Sequence, residues 1–299
     1  MANTFAPNGF AQFQGTGSLP TYEQVALVIS SSNTTPIFFN DPVIQATNTT
    51  GVGTGYITQA SAPAALAITN VVVTAGVATI TFTATTAPAV GSVLVISGLA
   101  TTNSPLNGSW TVATASTTTV TFNVPFQTIA TNAVTVSGAV YIPIAGVFTG
   151  CKYLSTSQKR TVWGNYWPGS DANGDVTAYC ITDPNAQFVV QTGNSNTTAT
   201  AVGIAAVGQN IGFNYNDYTN TGEANGNTAN GLSTYFADQY TQGSSAYLPF
   251  RVVGILGFSA GQTTSPLASF NNGSDYASAY NKIVVGFNNA MPNRPGAGI

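Results

Sequence analysis

Nine carboxylates, two thiols and no histidine are all that this 299-residue chain offers to acid–base, nucleophilic or metal chemistry. Histidine is the commonest general base near neutral pH and the commonest nitrogen ligand for metals, so a Ser-His-Asp or Cys-His site is impossible here. Two acids alone can cleave a glycosidic bond when the fold holds them about 5–9.5 Å apart. Most of the nine, however, stand in turn sequences: Asp41-Pro42, Asp171-Ala-Asn-Gly-Asp175, Asp183-Pro184 and Asn216-Asp217. In such contexts a carboxylate caps the local backbone. Asp171-x-Asn173-x-Asp175 has the clustered oxygens with which a calcium loop begins, but its glycine is fourth rather than sixth and no Glu closes the loop at the twelfth position. Cys151 and Cys180 lack metal-ligand spacing and are too few for a disulfide framework, which leaves them as small buried hydrophobes. Gly51-x-Gly53-x-Gly55 is followed by no helix that would present amides to a phosphate, so it reads as a turn. The expectation is a non-enzymatic chain with no catalytic, cofactor-binding or metal-ligating residues.

Binding chemistry is the alternative. Trp163 and Trp167, in Thr161-Val-Trp-Gly-Asn-Tyr-Trp-Pro168, admit a sugar-stacking platform or, more ordinarily, core and cross-strand packing. Nucleic acid is rejected as a partner: the six cations (Lys152, Lys159, Arg160, Arg251, Lys282, Arg294) are scattered and all lie beyond residue 150, and six such charges make no phosphate-neutralising stripe. No membrane is expected either, because no apolar run approaches the roughly 20 residues that span a bilayer. The opening Met1-Ala-Asn-Thr-Phe-Ala-Pro-Asn has neither the basic start nor the apolar core of a secretory signal, which suggests a protein soluble when made.

Hydrophobic residues form 43% of the chain but charged ones only 5%, so Thr, Ser, Asn and Gln must cover its surface. Such a surface gives up charge repulsion between copies, which suits a protein that ends up ordered in an assembly.

The elements that would position these groups are strands. Residues 1–23, with Phe5, Phe10, Phe13 and Tyr22 among Gly, Asn, Gln and Pro, follow neither period 2 nor period 3.6 and read as an extended arm. Aromatics on an arm need cover, either from the protein's own core or from a neighbouring subunit. Strand-like runs follow at Gln24 to Ile29, Pro36 to Ile44 and Gly53 to Thr58. From about Gln59 to Ile142 no residue is charged, and short Val/Ile/Thr runs alternate with turn residues. Val77-Ala-Thr-Ile-Thr-Phe-Thr and Thr118-Thr-Val-Thr-Phe-Asn-Val put apolar side chains on one face at period 2. Aromatic and glycine-rich strands return from Ile144 onward, and only Leu232–Gln239 reads as a helix, of two turns. The predicted fold is all-β: a host β-barrel or sandwich from residues 24–58 and 144–299, interrupted by a β-sandwich module at 59–143.

Several segments carry a resemblance. Ala2-Asn-Thr-Phe-Ala-Pro-Asn-Gly-Phe, Asn33-Thr-Thr-Pro-Ile-Phe, Cys151-Lys-Tyr-Leu, Lys159-Arg-Thr-Val-Trp-Gly-Asn-Tyr-Trp-Pro-Gly, Asp183-Pro-Asn-Ala-Gln-Phe-Val-Val-Gln, Pro249-Phe-Arg-Val-Val-Gly and Val284-Val-Gly-Phe-Asn-Asn are similar to virion structural proteins of tailed bacteriophages. Val90-Gly-Ser-Val-Leu-Val-Ile-Ser-Gly and Leu106-Asn-Gly-Ser-Trp-Thr-Val, inside the module, resemble small immunoglobulin-like domains of phage surface proteins. The resemblance implies a position on the virion and no activity. A major capsid subunit needs a long spine helix that no window here sustains, so the expectation is a capsid-decorating (cement) protein on the outer capsid surface, made in the bacterial cytoplasm. Its partners would be the major capsid protein, through Phe5, Phe10, Phe13 and Tyr22, and further copies of itself, with trimers suggested by symmetry alone. A tail or head-fibre protein that recognises host-surface glycan, with Trp110 or Trp163 as the stacking residue, is the rival expectation.

Overall fold

The computed structural model describes residues 3–14, 24–47, 53–61, 66–82, 90–91, 93–126, 128–133, 139–141, 143–222, 224–245, 247–256 and 275–290. Among these the chain is all-β, its only helical pieces being the short 3-10 turns Thr101–Leu106 and Ile204–Ala206. Four strands precede the charge-free stretch: β1 (Ala11–Gln14), β2 (Val25–Ile29), β3 (Pro42–Thr47) and β4 (Gly53–Gln59). Eight lie within it: β5 (Leu66–Thr74), β6 (Val77–Phe82), β7 (Val93–Ser97), β8 (Gly108–Thr111), β9 (Thr114–Ala115), β10 (Thr119–Asn123), β11 (Thr128–Ala133) and β12 (Ala139–Tyr141). Eight follow: β13 (Gly146–Leu154), β14 (Thr161–Gly164), β15 (Val176–Ile181), β16 (Gln187–Gly193), β17 (Asn210–Asn214), β18 (Phe236–Gly243), β19 (Phe250–Ile255) and β20 (Lys282–Phe287).

The strands outside the charge-free stretch form two closed rings rather than one. In the first, β13 pairs with β15, β15 with β2, β2 with β4, β4 with β3, and β3 returns to β13. One edge of β13 is shared, by β3 at Gly146–Val147 and by β14 from Cys151 to Leu154. Inside this barrel sit Ile29, Ile37, Val43, Ile57, Phe148, Cys151, Trp167, Val176, Ala178 and Cys180. The second ring runs β16, β18, β17, β19, β20 and back to β16, and β1 adds to the free half of one β16 edge. Closure removes the exposed strand edges through which sheets aggregate. That matters for a chain with few charges to guard an edge.

The second barrel is filled with aromatics. Phe188, Phe213, Phe250 and Phe287 are buried there, and Phe10 joins them, stacked on Phe250 at 4.1 Å and edge-on to Phe213 at 6.0 Å. Residues 3–14 of the amino-terminal arm thus pack on the protein's own core, and 15–23 lie outside the described residues. Asn3 exchanges hydrogen bonds with Asp275, the Ala6 amide donates to Gln191 Oε1 at 2.8 Å, and the Phe10 amide donates to the Asn40 carbonyl at 3.0 Å. Gly9 lets it pass: φ is 72°, and a Cβ there would lie 2.5 Å from the Asn40 carbonyl oxygen and 2.6 Å from Ser233 Cβ. Along the segment the Gly9 amide donates to the Tyr235 carbonyl at 3.2 Å, and Asn40 Nδ2 donates to the Asn8 carbonyl at 3.0 Å.

Leu232–Gln239 is not a helix. Leu232 forms a parallel bridge to Phe39, and β18 begins at Phe236. Tyr235 through Asp238 are all buried, because Tyr235 and Ala237 belong to the barrel core while Phe5 packs on Phe236 from outside. Cover on both faces erases the alternation that marks a strand.

Among the described residues, β5–β12 pair only with one another. The N-terminal end of β5 pairs with β12, which leads to β7 and β8, while its C-terminal part pairs with β11 and β6, which leads to β10 and β9. Both halves fill a single core, Leu94, Ile96 and Leu106 from one and Ile80, Phe82, Val120 and Phe122 from the other. The alternation read in β6 and β10 is realised as a direct pairing, with Val120 opposite Ile80 and Phe122 opposite Ala78.

Candidate functional site

Seven of the nine acids are described, and each is engaged with neighbouring backbone or side chains; Glu23 and Glu223 lie outside the described residues. Asp171 accepts from Ser155 Oγ at 2.5 Å, Thr156 Oγ1 at 2.7 Å, and the Ser157 amide at 2.7 Å. These donors, the Ser155 hydroxyl first, hold its carboxyl well below the usual carboxylate range. Asp175 accepts from Tyr56 Oη and the Ser31 amide, so the two acids of the calcium-like sequence serve separate turns. Asp217 and Asp238 take the consecutive amides of Asn194 and Ser195. Both are further saturated: Asp217 by Thr219, Asn220 and Tyr280, Asp238 by Ser195 Oγ and the Tyr240 amide. Asp183 and Asp275 cap the amides of Asn185 and Ala277. Among the described residues no cluster of three or more metal-ligating side chains occurs. Cys151 and Cys180 are free thiols within the first barrel, and burial pushes Cys151 up to about 12 and Cys180 upward likewise.

Asp41 differs. It is fully buried, its Oδ2 accepting from the Phe38 amide at 2.7 Å and Gln59 Nε2 at 2.6 Å, while Oδ1 has no hydrogen-bond partner. Burial pushes its carboxyl up to about 7, with the hydrogen bonds from Phe38 and Gln59 pulling the other way. Its partners tie the segment before β3 to the end of β4.

The four arm aromatics separate. Phe10 is wholly inside the second barrel, which removes it as a shell contact, and Phe5 leans on Phe236 and Tyr280 at 5.7 and 5.1 Å. Phe13 is 42% exposed on β1, and Tyr22 lies outside the described residues.

The three tryptophans separate too. Trp167 is buried, its Nε1 donating to the Asn33 carbonyl, and Trp110 packs on Phe122 at 5.1 Å while its Nε1 donates to the Leu106 carbonyl at 2.7 Å. Trp163 points outward and is 65% exposed. It lies on β14 opposite Lys152 of β13, whose Nζ sits 4.9 Å from the ring centroid. Across β13, Tyr179 of β15 runs nearly parallel to Trp163, with centroids 5.8 Å apart and an interplanar angle of 8°. The residue opposite Tyr179 is Gly150, so no side chain separates the rings. A Cβ on Gly150 would lie 3.0 Å from the Gly164 carbonyl oxygen, and its φ is 141°. An open groove of about 500 Å³ results, lined by Gln24, Thr149, Gly150, Cys151, Trp163, Gly164 and Tyr179.

A ring laid over a sheet glycine is a packing device in its own right. It accounts for Tyr179 but leaves most of Trp163 in water. The groove has the makings of a stacking subsite: two aromatic rings and a few hydrogen-bonding groups, with the Lys152 ammonium beside it over the Trp163 ring. Alternation in Val176-Thr-Ala-Tyr-Cys would have exposed Tyr179 as outward-facing; nothing in the sequence joined it to Trp163.

No protein family, curated protein or solved structure matches the chain.

Proposed function

We propose that the chain is a non-enzymatic structural protein of a tailed-phage particle that decorates the capsid and stabilises it by bridging neighbouring capsid subunits. The observation that carries this reading is the mounting of the charge-free module. It has a core of its own, and the chain leaves β4 at Gln59 and rejoins β13 at Gly146, both register partners of Val43 on the first barrel. A closed, rigid base with a separately folded appendage suits a protein that sits on a surface and projects from it. The engagement of every described carboxylate in internal hydrogen bonds favours a scaffold over a hydrolase.

Bridging contacts stabilise only the assembled shell, and many copies multiply a modest gain. The immunoglobulin-like character of the module and a trimeric arrangement belong to the same proposal. Phe13 remains as an exposed arm aromatic for the major capsid protein, Phe5 and Phe10 being engaged within the chain. The test is to add purified protein to mature undecorated capsids. Saturation at a fixed number of copies per capsid and a higher disruption temperature support the reading; a handful of copies confined to the tail would overturn it.

One observation favours a second reading, a head-fibre or tail protein that recognises host-surface carbohydrate: the outward Trp163 ring beside Tyr179. Virion copy number separates the two.

A further inference from the structure

We propose that the Trp163 groove binds a carboxylated saccharide, with a pyranose ring laid on the aromatic pair and its carboxylate directed to Lys152. This concerns the ligand chemistry of one groove and stands whether the protein decorates the head or belongs to a fibre.

The argument has three parts. A tryptophan that is 65% exposed on a regular strand forfeits most of the burial its size would bring, whereas Trp167 is buried, Trp110 is half-buried, and both have hydrogen-bonded indole N–H groups. Its geometry suits a flat apolar face, because Tyr179 stacks nearly parallel to it at 5.8 Å, holding the indole upright over Gly150 while most of its surface stays in water. Sugars present such faces through their axial C–H groups and carry hydroxyls at the edge, where Thr149 and Gln24 line the same groove.

The charge decides the class of sugar. Among the described residues no carboxylate pairs with Lys152, whose ammonium instead rests over Trp163. No acid lines the groove, although neutral-sugar sites commonly use carboxylates as acceptors for hydroxyls, and the nearest hairpin, between β13 and β14, carries Lys159 and Arg160 as well. Asp171, which packs on the turn of this hairpin through Ser155, Thr156 and Ser157, offsets one of these charges and leaves the hairpin net positive. In a chain with six cations in all, three fall on this one hairpin. An anionic occupant matches that balance, and a cationic one does not.

The experiment titrates the protein with cellobiose and with its glucuronate-terminated counterpart by isothermal titration calorimetry, a readout that does not depend on the Trp163 indole. The expected result is saturable binding of the acidic disaccharide at least about tenfold tighter than of cellobiose, weakening with salt. Trp163→Ala should abolish it, and Lys152→Gln should erase the preference while leaving weak binding of both sugars. Trp163→Phe, which keeps a ring, should retain the preference. No binding of either sugar, binding that survives Trp163→Ala, or equal affinity for both in the unaltered protein would each overturn the assignment. Capsid binding and copy number are measured on particles, so either proposal can fail alone.

Discussion

Gln59 and Gly146 face the same residue, Val43, from opposite edges of β3. The chain departs for the charge-free module and comes back only two strand spacings away, about 10 Å. Ala60 and Ile144, the last and first residues around this gap, are buried in the core of the second barrel, and the Tyr235 hydroxyl donates to the Ala60 carbonyl at 2.7 Å.

Excision should therefore respect those two residues. Replacing 61–143 with a three-residue Gly-Ser-Gly bridge, which spans about 10 Å, is expected to leave both barrels folded. Circular dichroism and a single cooperative melt check it; an unfolded spectrum would refute the separation of module and host.

Asp41 should make stability depend on pH. The folded protein holds its proton more tightly than the unfolded chain, about 7 against 3.8, so this contribution is greatest below about pH 4, drains away as pH rises toward 7 and levels off above. Asp41→Asn copies the protonated shape, and it should flatten the profile and raise stability at pH 8 by on the order of 2–4 kcal/mol. Denaturant melts from pH 4 to 9 decide it; parallel profiles for the two proteins would count against a buried, uncharged Asp41.

Phe10→Ala removes a ring stacked inside the second barrel and should cost about 3–5 kcal/mol. Phe13→Ala, at an exposed position on β1, should change stability by less than about 0.5 kcal/mol. If the two variants unfold at the same denaturant concentration, the plug role of Phe10 is wrong.

Asp171→Ala is expected to loosen the β13–β14 turn without unfolding the barrel, since it accepts the Ser157 amide and the hydroxyls of Ser155 and Thr156. Hydrogen exchange should quicken at Ser157 and leave the amides of β15 protected. Because its carboxyl is held low, the wild-type turn should keep its protection down through the ordinary carboxylate range and lose it only in strong acid.

How far the sequence revealed this molecule varies by element. β6 and β10 were readable as strands, though not as partners, because each buries one face and apolar residues fall at every second position. β18 was not, because Phe5 covers the outer side of a strand whose inner side faces the core. The arm aromatics were visible as side chains needing cover, but whether Phe10 would meet its own barrel depended on residues such as Phe250, far along the chain. Two rings instead of one were likewise hidden, since closure rests on the split edges of β13 and β16, which local pattern does not encode. At the groove, the Trp163 and Trp167 motif was legible but not its division, which follows from an antiparallel bridge of Trp167 to Ile37 that draws the second indole inside.

The seating of Phe10 against Phe250 also sets an order of events during synthesis. Phe10 cannot reach its partner until the roughly 240 residues between them have been made, about 10–50 s later at about 5–20 residues per second. The first barrel needs nothing beyond Ile181 for its strands and is free to form earlier. A nascent chain would thus carry a finished first barrel while Phe10 stays uncovered, and that interval is when misassociation between neighbouring chains on one messenger is most dangerous.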